Sequence, residues 1–476
     1  MRLDEYARYD AVGLMALLRT GQVSPAELKR CTVEAIERLD PQLNFMAGDI
    51  CATEEWLPDG PFSGLPFLLK EGHGWRGGAL SMGSRLTAGF KPSSESEMTL
   101  RLRRAGVQIL GETTAPEFGI YPVTESGLHG ASRNPWNLVH SPGGSSGGAS
   151  AAVAAGIVPV AQTSDGGGSI RGPAHCTGIF GLKPSRGRTP ALQRGLFAFT
   201  HVHVSSRTVR DSAAFLDALH GPFAGGLFKP LAPVRPYLDE IRGAPRRLRI
   251  GVLLHSPGRT PLAPECAAAV KRAAQLAEAL GHHIEEAQPR LDWEQWLSRF
   301  LAAWIHPLPS MIEQLSAVCG RRPGPETLDP MTLQLLERAR KVSVADLIAA
   351  ESAFHAARSA LDTFFSSHDL WLTPSGVSQA PRIGQFDPRS RGEDHLAYID
   401  RILHDYAIFT PLLNIGGHPA ASIPLHHGDN GLPAGVQAIG PMGRDDLVLA
   451  FAAQLEAEAP WINRHPPHSI FGGIHE

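Results

Sequence analysis

The chain has little of what marks several protein classes. Its 476 residues include five cysteines, at positions 31, 51, 176, 266 and 319. That number is odd and no pair has CxxC spacing, so no disulfide framework follows, and reduced thiols in a cytoplasmic protein are expected. Charge is scarce and nearly balanced: 19% of residues are Asp, Glu, Lys or Arg, with a formal net charge of −3. That balance argues against a nucleic-acid partner or an anionic membrane surface. The most hydrophobic run, within 149–162, is Ala/Gly-rich and too short to span a bilayer. The opening MRLDEYARYD is charged and has no apolar h-region, so no signal peptide is expected. There is no internal repeat and no low-complexity tail.

Metal and phosphate signatures are missing too. Histidine is plentiful, with pairs at His201/His203, His282/His283 and His426/His427. None has a third ligand at motif spacing and HExxH is absent, so these read as surface or core histidines and no metal is expected. The run GGSSGG lacks the Lys-Ser/Thr of a phosphate-binding loop.

What is present is a dense Gly/Ser stretch, Ser141–Arg171, reading SPGGSSGGASAAVAAGIVPVAQTSDGGGSIR. Glycine lets the backbone approach a ligand closely and adopt positive φ, so Gly166, Gly167 and Gly168 before Ser169 suggest main-chain N–H groups aimed at a substrate. Those amides and that of Ser169 are candidate oxyanion donors, each worth roughly 3–4 kcal/mol of barrier when preorganised. A second serine turn holds Ser145, with Ser146 beside it. A nucleophilic hydroxyl needs a base, and Lys70 ends the apolar run GLPFLLK, where desolvation favours the neutral amine. Glu71 follows directly and would favour the charged form if it pointed inward. A competing reading takes Gly143–Gly147 as GxSxG with Ser145 as an α/β-hydrolase nucleophile. That needs a strand just before the motif, and NPWNLVHSP is a poor strand.

The segments GLPFLLKEG, SPGGSSGGAS and SDGGGSIRGPAHCTGIFGLKPSRGRTP closely resemble the amidase signature family of serine hydrolases. The separations of 75 residues from Lys70 to Ser145 and 24 from Ser145 to Ser169 match that family's Lys–Ser–Ser triad. Weaker similarity covers nearly the whole chain, including RNPW (133–136), DLWLTPS (369–375), NIGGHPAASIPL (414–425) and GLPAGVQAIG (431–440). Within the family, RNPWNL and GRDDL look most like bacterial amidases of hydrophobic or synthetic amides, such as the nylon-oligomer hydrolases. The chain departs from the family's pattern at Glu71, where Asp is usual, and at Ser164, where Thr is usual.

The resemblance implies a single α/β domain over 1–476, with a mixed, twisted central sheet covered by helices on both faces. The signature core spans about 60–210 and a helical, substrate-side region about 292–365. It implies Ser169 as nucleophile, Ser145 as relay after a cis peptide bond, Lys70 as base, and Ser146, Asp165 and Arg171 in support. It implies no cofactor and a small-molecule amide substrate, carbamates, anilides and esters remaining open. A monomer or homodimer is expected. The alternatives are the A subunit of a tRNA-dependent amidotransferase and a non-catalytic binding module on the same fold, which the complete triad disfavours.

Periodicity fills in the elements. Residues 10–40 read as two helices, the second opening on the capping box SPAE at Ser24. Phe67–Leu69 reads as a buried strand, 96–105 as a basic helix, and 106–113, 178–183 and 246–254 as further strands. Helices are expected at 209–219 and 264–280, with a surface connection at 221–245 and mostly helix over 292–365, interrupted at 319–330. Trp293, Trp296, Phe300, Leu301, Trp304, Ile305, Leu308 and Met311 outnumber what one packed face needs. Most must be core, while Trp304 and Ile305 are expected to line an acyl or leaving-group pocket.

Overall fold

In the computed structural model, residues 1–51, 56–191, 195–243, 246–390, 392 and 394–471 are described. The strands are β1 (Pro66–Lys70), β2 (Gln108–Thr113), β3 (Glu125–Ser126), β4 (Gly130–Ala131), β5 (Val160–Asp165), β6 (Phe180–Lys183), β7 (His201–Ser206), β8 (Arg249–Val252), β9 (His283–Glu286), β10 (Leu370–Pro374), β11 (Ala420–His427) and β12 (Pro433–Ile439). Ten form one sheet in the order β2-β1-β5-β7-β6-β11-β12-β10-β8-β9, while β3 and β4 pair separately. The sheet is mixed: β1 runs parallel to both β2 and β5, the strands from β5 to β10 pair antiparallel, and β8 is parallel to β10 and β9. Helices flank it, which makes the chain one α/β domain.

The parallel β1–β5 pair matters most for the site. Parallel neighbours end at the same edge of a sheet, so Lys70, the last residue of β1, comes beside Ser164 and Asp165 at the end of β5. The stretch Leu68–Lys70 is buried throughout because both sheet faces are covered, which is why it reads as an unbroken apolar run. Between the two strands the chain makes the Gly143–Ser146 turn and the helix Gly147–Ala154, every residue of which is buried. Its small side chains permit this: a Cβ on Gly147 would lie 2.2 Å from Thr124 Oγ1, and one on Gly148 2.4 Å from Thr114 Oγ1.

The helices expected at 10–40 span Ala11–Arg19 and Pro25–Leu43, the latter with the Ser24/Glu27 capping box formed in both directions. The segment 221–245 carries only the short helix Tyr237–Glu240, and residues 244 and 245 lie outside the described residues. Helices Trp293–Ile305, Leu308–Cys319, Pro330–Ala339 and Val344–Phe365 build the region after β9, with the break at Gly320–Asp329. Their apolar faces join those of His395–Asp405 and Pro411–Gly416 in one core cluster. A separate cluster joins the N-terminal helices to β1, β2 and the Gly147–Ala154 helix. No helix among the described residues is long and apolar enough to cross a membrane.

Candidate active site

Lys70 Nζ lies 2.7 Å from Ser145 Oγ and 3.0 Å from Ser164 Oγ, with both Lys70 and Ser145 buried. The Gly144–Ser145 peptide is cis. Ser146 clamps this turn to the end of β5: its hydroxyl donates to the Ser164 carbonyl at 3.1 Å and accepts the Ser164 N–H at 3.3 Å. Glu71 points elsewhere. Its carboxylate accepts the Ala115 N–H at 2.7 Å, takes a bond from the Ser81 hydroxyl, and meets His129 Nε2 at 3.1 Å. Ser145 follows a run of turns rather than a strand, and its hydroxyl meets a lysine, so the nucleophile-elbow geometry is missing.

Beyond β5 the chain turns through Gly166–Ser169 into the helix Arg171–Thr177. Asp165 and Arg171 form a fully buried ion pair, Nη2 to Oδ1 at 2.9 Å and Nε to Oδ2 at 2.9 Å. Arg171 reaches on to Gln437 Oε1 and Asn414 Oδ1, each at 2.7 Å, while the Asn414 amide returns to the Asp165 carbonyl at 3.0 Å. Burial opposes ionisation of Asp165, but the Arg171 charge and these bonds outweigh it and hold the carboxyl below its usual range. The loop is therefore tied from within, which suits a preorganised site.

One sequence expectation changes here. The Gly168 amide, counted among the oxyanion donors, donates instead to Asp165 Oδ1 at 2.7 Å. The Asp165 carboxylate folds back over its own loop, leaving the amides of Gly166, Gly167 and Ser169 as candidate donors. Glycine at 168 is required twice over: φ is +136°, and a Cβ would lie 2.3 Å from Thr410 Oγ1.

Ser169 is partly exposed on the wall of a cavity. Gly144, Gly167, Gly168 and Ser169 form one side, and Phe300, Leu301 and Trp304 cover another. The Trp304 ring sits over the loop, 2.9 Å from where a Gly166 Cβ would stand, and stacks on Phe300 with ring centres 5.6 Å apart. Ile305 belongs elsewhere. It is fully buried in the core and absent from the cavity wall, because adjacent helical residues point about 100° apart.

Sequence reasoning missed other lining residues, among them Ile120 and Tyr121 and Ile399, Ile402, Leu403, Tyr406 and Thr410. The 399–403 spacing marks an amphipathic helix, but nothing in it tells a cavity face from a core face. The polar atoms on the wall are largely engaged by the protein. Tyr121 OH pairs with Thr332 Oγ1 at 2.7 Å, Tyr406 OH meets Cys176 Sγ at 3.2 Å, and Ser375 pairs with Ser422 at 2.9 Å. His175 meets the Ser378 carbonyl through Nε2 and the Gly435 amide through Nδ1; burial lowers its pKa and keeps it neutral. Among the described residues, no Asp, Glu, Lys or Arg lines the cavity.

The chain belongs to the amidase family, whose sequence model matches residues 34–449, and is a hydrolase of carbon–nitrogen bonds other than peptide bonds. It is 35% identical over 483 residues to the 6-aminohexanoate-cyclic-dimer hydrolase of Pseudomonas sp. (strain NK87), with 96% of each chain covered. It is 32% identical to the putative amidase AmiC of Mycobacterium tuberculosis, with 98% of each covered. The solved structure of a 6-aminohexanoate cyclic dimer hydrolase with substrate superposes with a TM-score of 0.92 at 33% identity, covering 97% of this chain and 99% of that one. A bacterial aryl acylamidase superposes at 0.85 with 28% identity, covering 95% and 96%.

Proposed function

We propose that this enzyme hydrolyses a small, neutral, hydrophobic amide through an acyl-enzyme on Ser169, with Ser145 as proton relay and Lys70 as base. The observation that carries this reading is the 2.7 Å bond from Lys70 to Ser145 beneath a cavity whose wall holds Ser169 behind three glycines. Ser169 Oγ bonds to the substrate carbonyl carbon while its proton passes to Ser145 and the Ser145 proton to the neutral Lys70 amine. The carbonyl oxygen, now an oxyanion, is held by the amides of Gly166, Gly167 and Ser169. Collapse breaks the C–N bond, and the leaving nitrogen takes the proton back along the same path. Water then attacks the ester by the same relay, releasing the acid and restoring Ser169. Asp165 and Arg171 hold the glycine loop in shape.

The apolar walls support a hydrophobic substrate, and among the described lining residues none is an Asp, Glu, Lys or Arg that would pair with an ionised group. A cyclic amide such as the 6-aminohexanoate cyclic dimer, named for the relatives, is the first candidate. Anilides, carbamates and esters come next, since acyl-serine chemistry accommodates them all. We expect the chain to act without a partner chain, as a monomer or homodimer. The test is a mass-spectrometric screen of the purified protein against amides, anilides, carbamates and esters, with a fluorophosphonate adduct mapped by peptide sequencing. An adduct on Ser145 with Ser169 free would overturn the assignment of roles.

A further inference from the structure

Above the Lys70–Ser145 pair lies a turn that none of the steps above uses. Phe118 and Gly119 both take left-handed backbone angles, φ +53° and +69°. A Cβ on Gly119 would stand 3.4 Å from Ser145 Oγ and 4.0 Å from Lys70 Nζ, so this turn roofs the base and the relay. The next two residues, Ile120 and Tyr121, are cavity wall. A bulky residue at positive φ is sparsely populated and persists only where its surroundings enforce it.

The residue before this turn is Glu117, a carboxyl 1% exposed. Its Oε1 accepts the Ser84 hydroxyl at 2.6 Å and its Oε2 the Asp329 amide at 2.9 Å. The Thr332 hydroxyl also bonds it. Thr332 Oγ1 is in turn paired with Tyr121 OH at 2.7 Å. A chain of hydrogen bonds thus runs from a wall tyrosine through Thr332 to Glu117, and Glu117 abuts the roof of the catalytic pair. Two of its three donors belong to residues 329–332, at the break in the substrate-side helices. Arg85, through Asp329 Oδ1 at 3.2 Å and the Leu328 carbonyl at 3.0 Å, holds that break to the same loop as Ser84.

We propose that Glu117 is a positioning residue for the reaction. It sets the Phe118–Gly119 turn against Lys70 and Ser145, and through Thr332 it fixes the Tyr121 side of the cavity relative to them. This deepens the Lys–Ser–Ser reading and rests on it. The two links have different kinetic signatures. The turn touches the proton relay, so its misplacement lowers the rate of acylation. The Tyr121 link touches only the wall, so its loss weakens substrate binding.

The test uses Glu117→Gln and Thr332→Val in the full chain, with rates expressed per active site titrated by a fluorophosphonate. A merely structural carboxyl changes the number of titratable sites and leaves the per-site rate alone. Glu117→Gln is expected to slow fluorophosphonate labelling of Ser169, and kcat for an anilide, by about 10- to 100-fold with KM little changed, the scale of a misplaced reacting group. Thr332→Val is expected to raise KM several-fold for a bulky amide while leaving kcat close to that of the parent. Parent-like per-site rates in Glu117→Gln overturn the proposal. Should that variant fail to fold, Thr332→Val decides, and an unchanged KM overturns it. Labelling of the parent anywhere but Ser169 sinks the underlying mechanism instead, so the two failures are separable.

Discussion

The floor and the walls of the cavity are built on different principles. The floor, from Gly143–Ser146 and Asp165–Arg171, is made of backbone conformation and buried hydrogen bonds. Gly144 and Gly168 have no room for a Cβ, and Asp165, Arg171, Asn414 and Gln437 tie the loop from within. The walls are made of apolar side chains from helices far apart in the chain, Phe300 and Trp304 on one, Ile399, Ile402 and Leu403 on another. Floor geometry tolerates little change because its turns are held by specific hydrogen bonds and close contacts, whereas a wall needs only volume and apolarity. On the proposed mechanism, reaction type resides in these two stretches with Lys70, and substrate choice in wall residues that are individually replaceable.

The largest effects are expected on the floor. Ser169→Ala and Lys70→Ala should each reduce acylation by several orders of magnitude, on the scale seen when one member of a catalytic unit is removed. What remains in Lys70→Ala should rise at alkaline pH as hydroxide replaces the base. A histidine variant that abolishes activity while Lys70→Ala stays near normal would break the comparison at its root. Gly168→Ala should come next. The methyl group meets Thr410 and φ is +136°, a combination expected to cost about 1–3 kcal/mol of strain or to displace the loop. Per-site kcat should fall about 100-fold if the loop moves. Parent-like turnover in that variant would mean the loop is soft, and the contrast with the walls would lose its basis.

This division also explains what could be read from the sequence. Ser145 and Ser169 stood out in their glycine turns and Lys70 at the end of an apolar run, while the roles expected of Ser146, Asp165 and Arg171 came from the family resemblance. The sheet was legible through β1, β2, β6 and β8, whose apolar runs follow from burial on both faces. Gly168's amide was misjudged because sequence does not say which N–H groups a neighbouring aspartate will take. Ile305 was misjudged because two adjacent apolar residues on a helix look alike until the helix is docked. The Ile399–Leu403 wall and the Glu117–Thr332–Tyr121 chain went unread because their members meet only in the folded state, with sequence separations near or above 200 residues where they cross to the floor and roof.

On the walls the expected effects are smaller and of another kind. Trp304→Ala should change the ratio of kcat/KM between a bulky and a small amide by about tenfold or more, the scale of a few methylenes in an apolar pocket. Its melting temperature should stay near that of the parent, since the ring faces a cavity. Ile305→Ala should do the reverse, costing about 2–5 kcal/mol of stability and leaving the ratio alone. A Trp304 variant that loses stability without altering selectivity would place that ring among the core residues and move the pocket to the 399–410 side.

The smallest effect tests whether the floor's polar construction carries a stability cost that the walls avoid. Glu112 lies on β2 opposite Leu69, the residue before Lys70, and its carboxyl sits against Trp75 and Gly78. Burial, with a further contribution from the Glu71 charge, pushes its pKa up to about 9 from an ordinary 4.5. The folded chain therefore keeps this proton at pH values where the unfolded chain has released it. The stability tied to that proton is present in full below pH 4.5 and is lost as pH rises towards 9. Glutamine keeps the shape and never ionises in either state. Glu112→Gln should thus match the parent in denaturant midpoint near pH 4 and exceed it at pH 8. Catalytic rates should move little, because Glu112 does not line the cavity. Equal stability of the two proteins at pH 8 would mean that the carboxyl ionises freely in the fold, and that the floor holds its buried polar groups without cost.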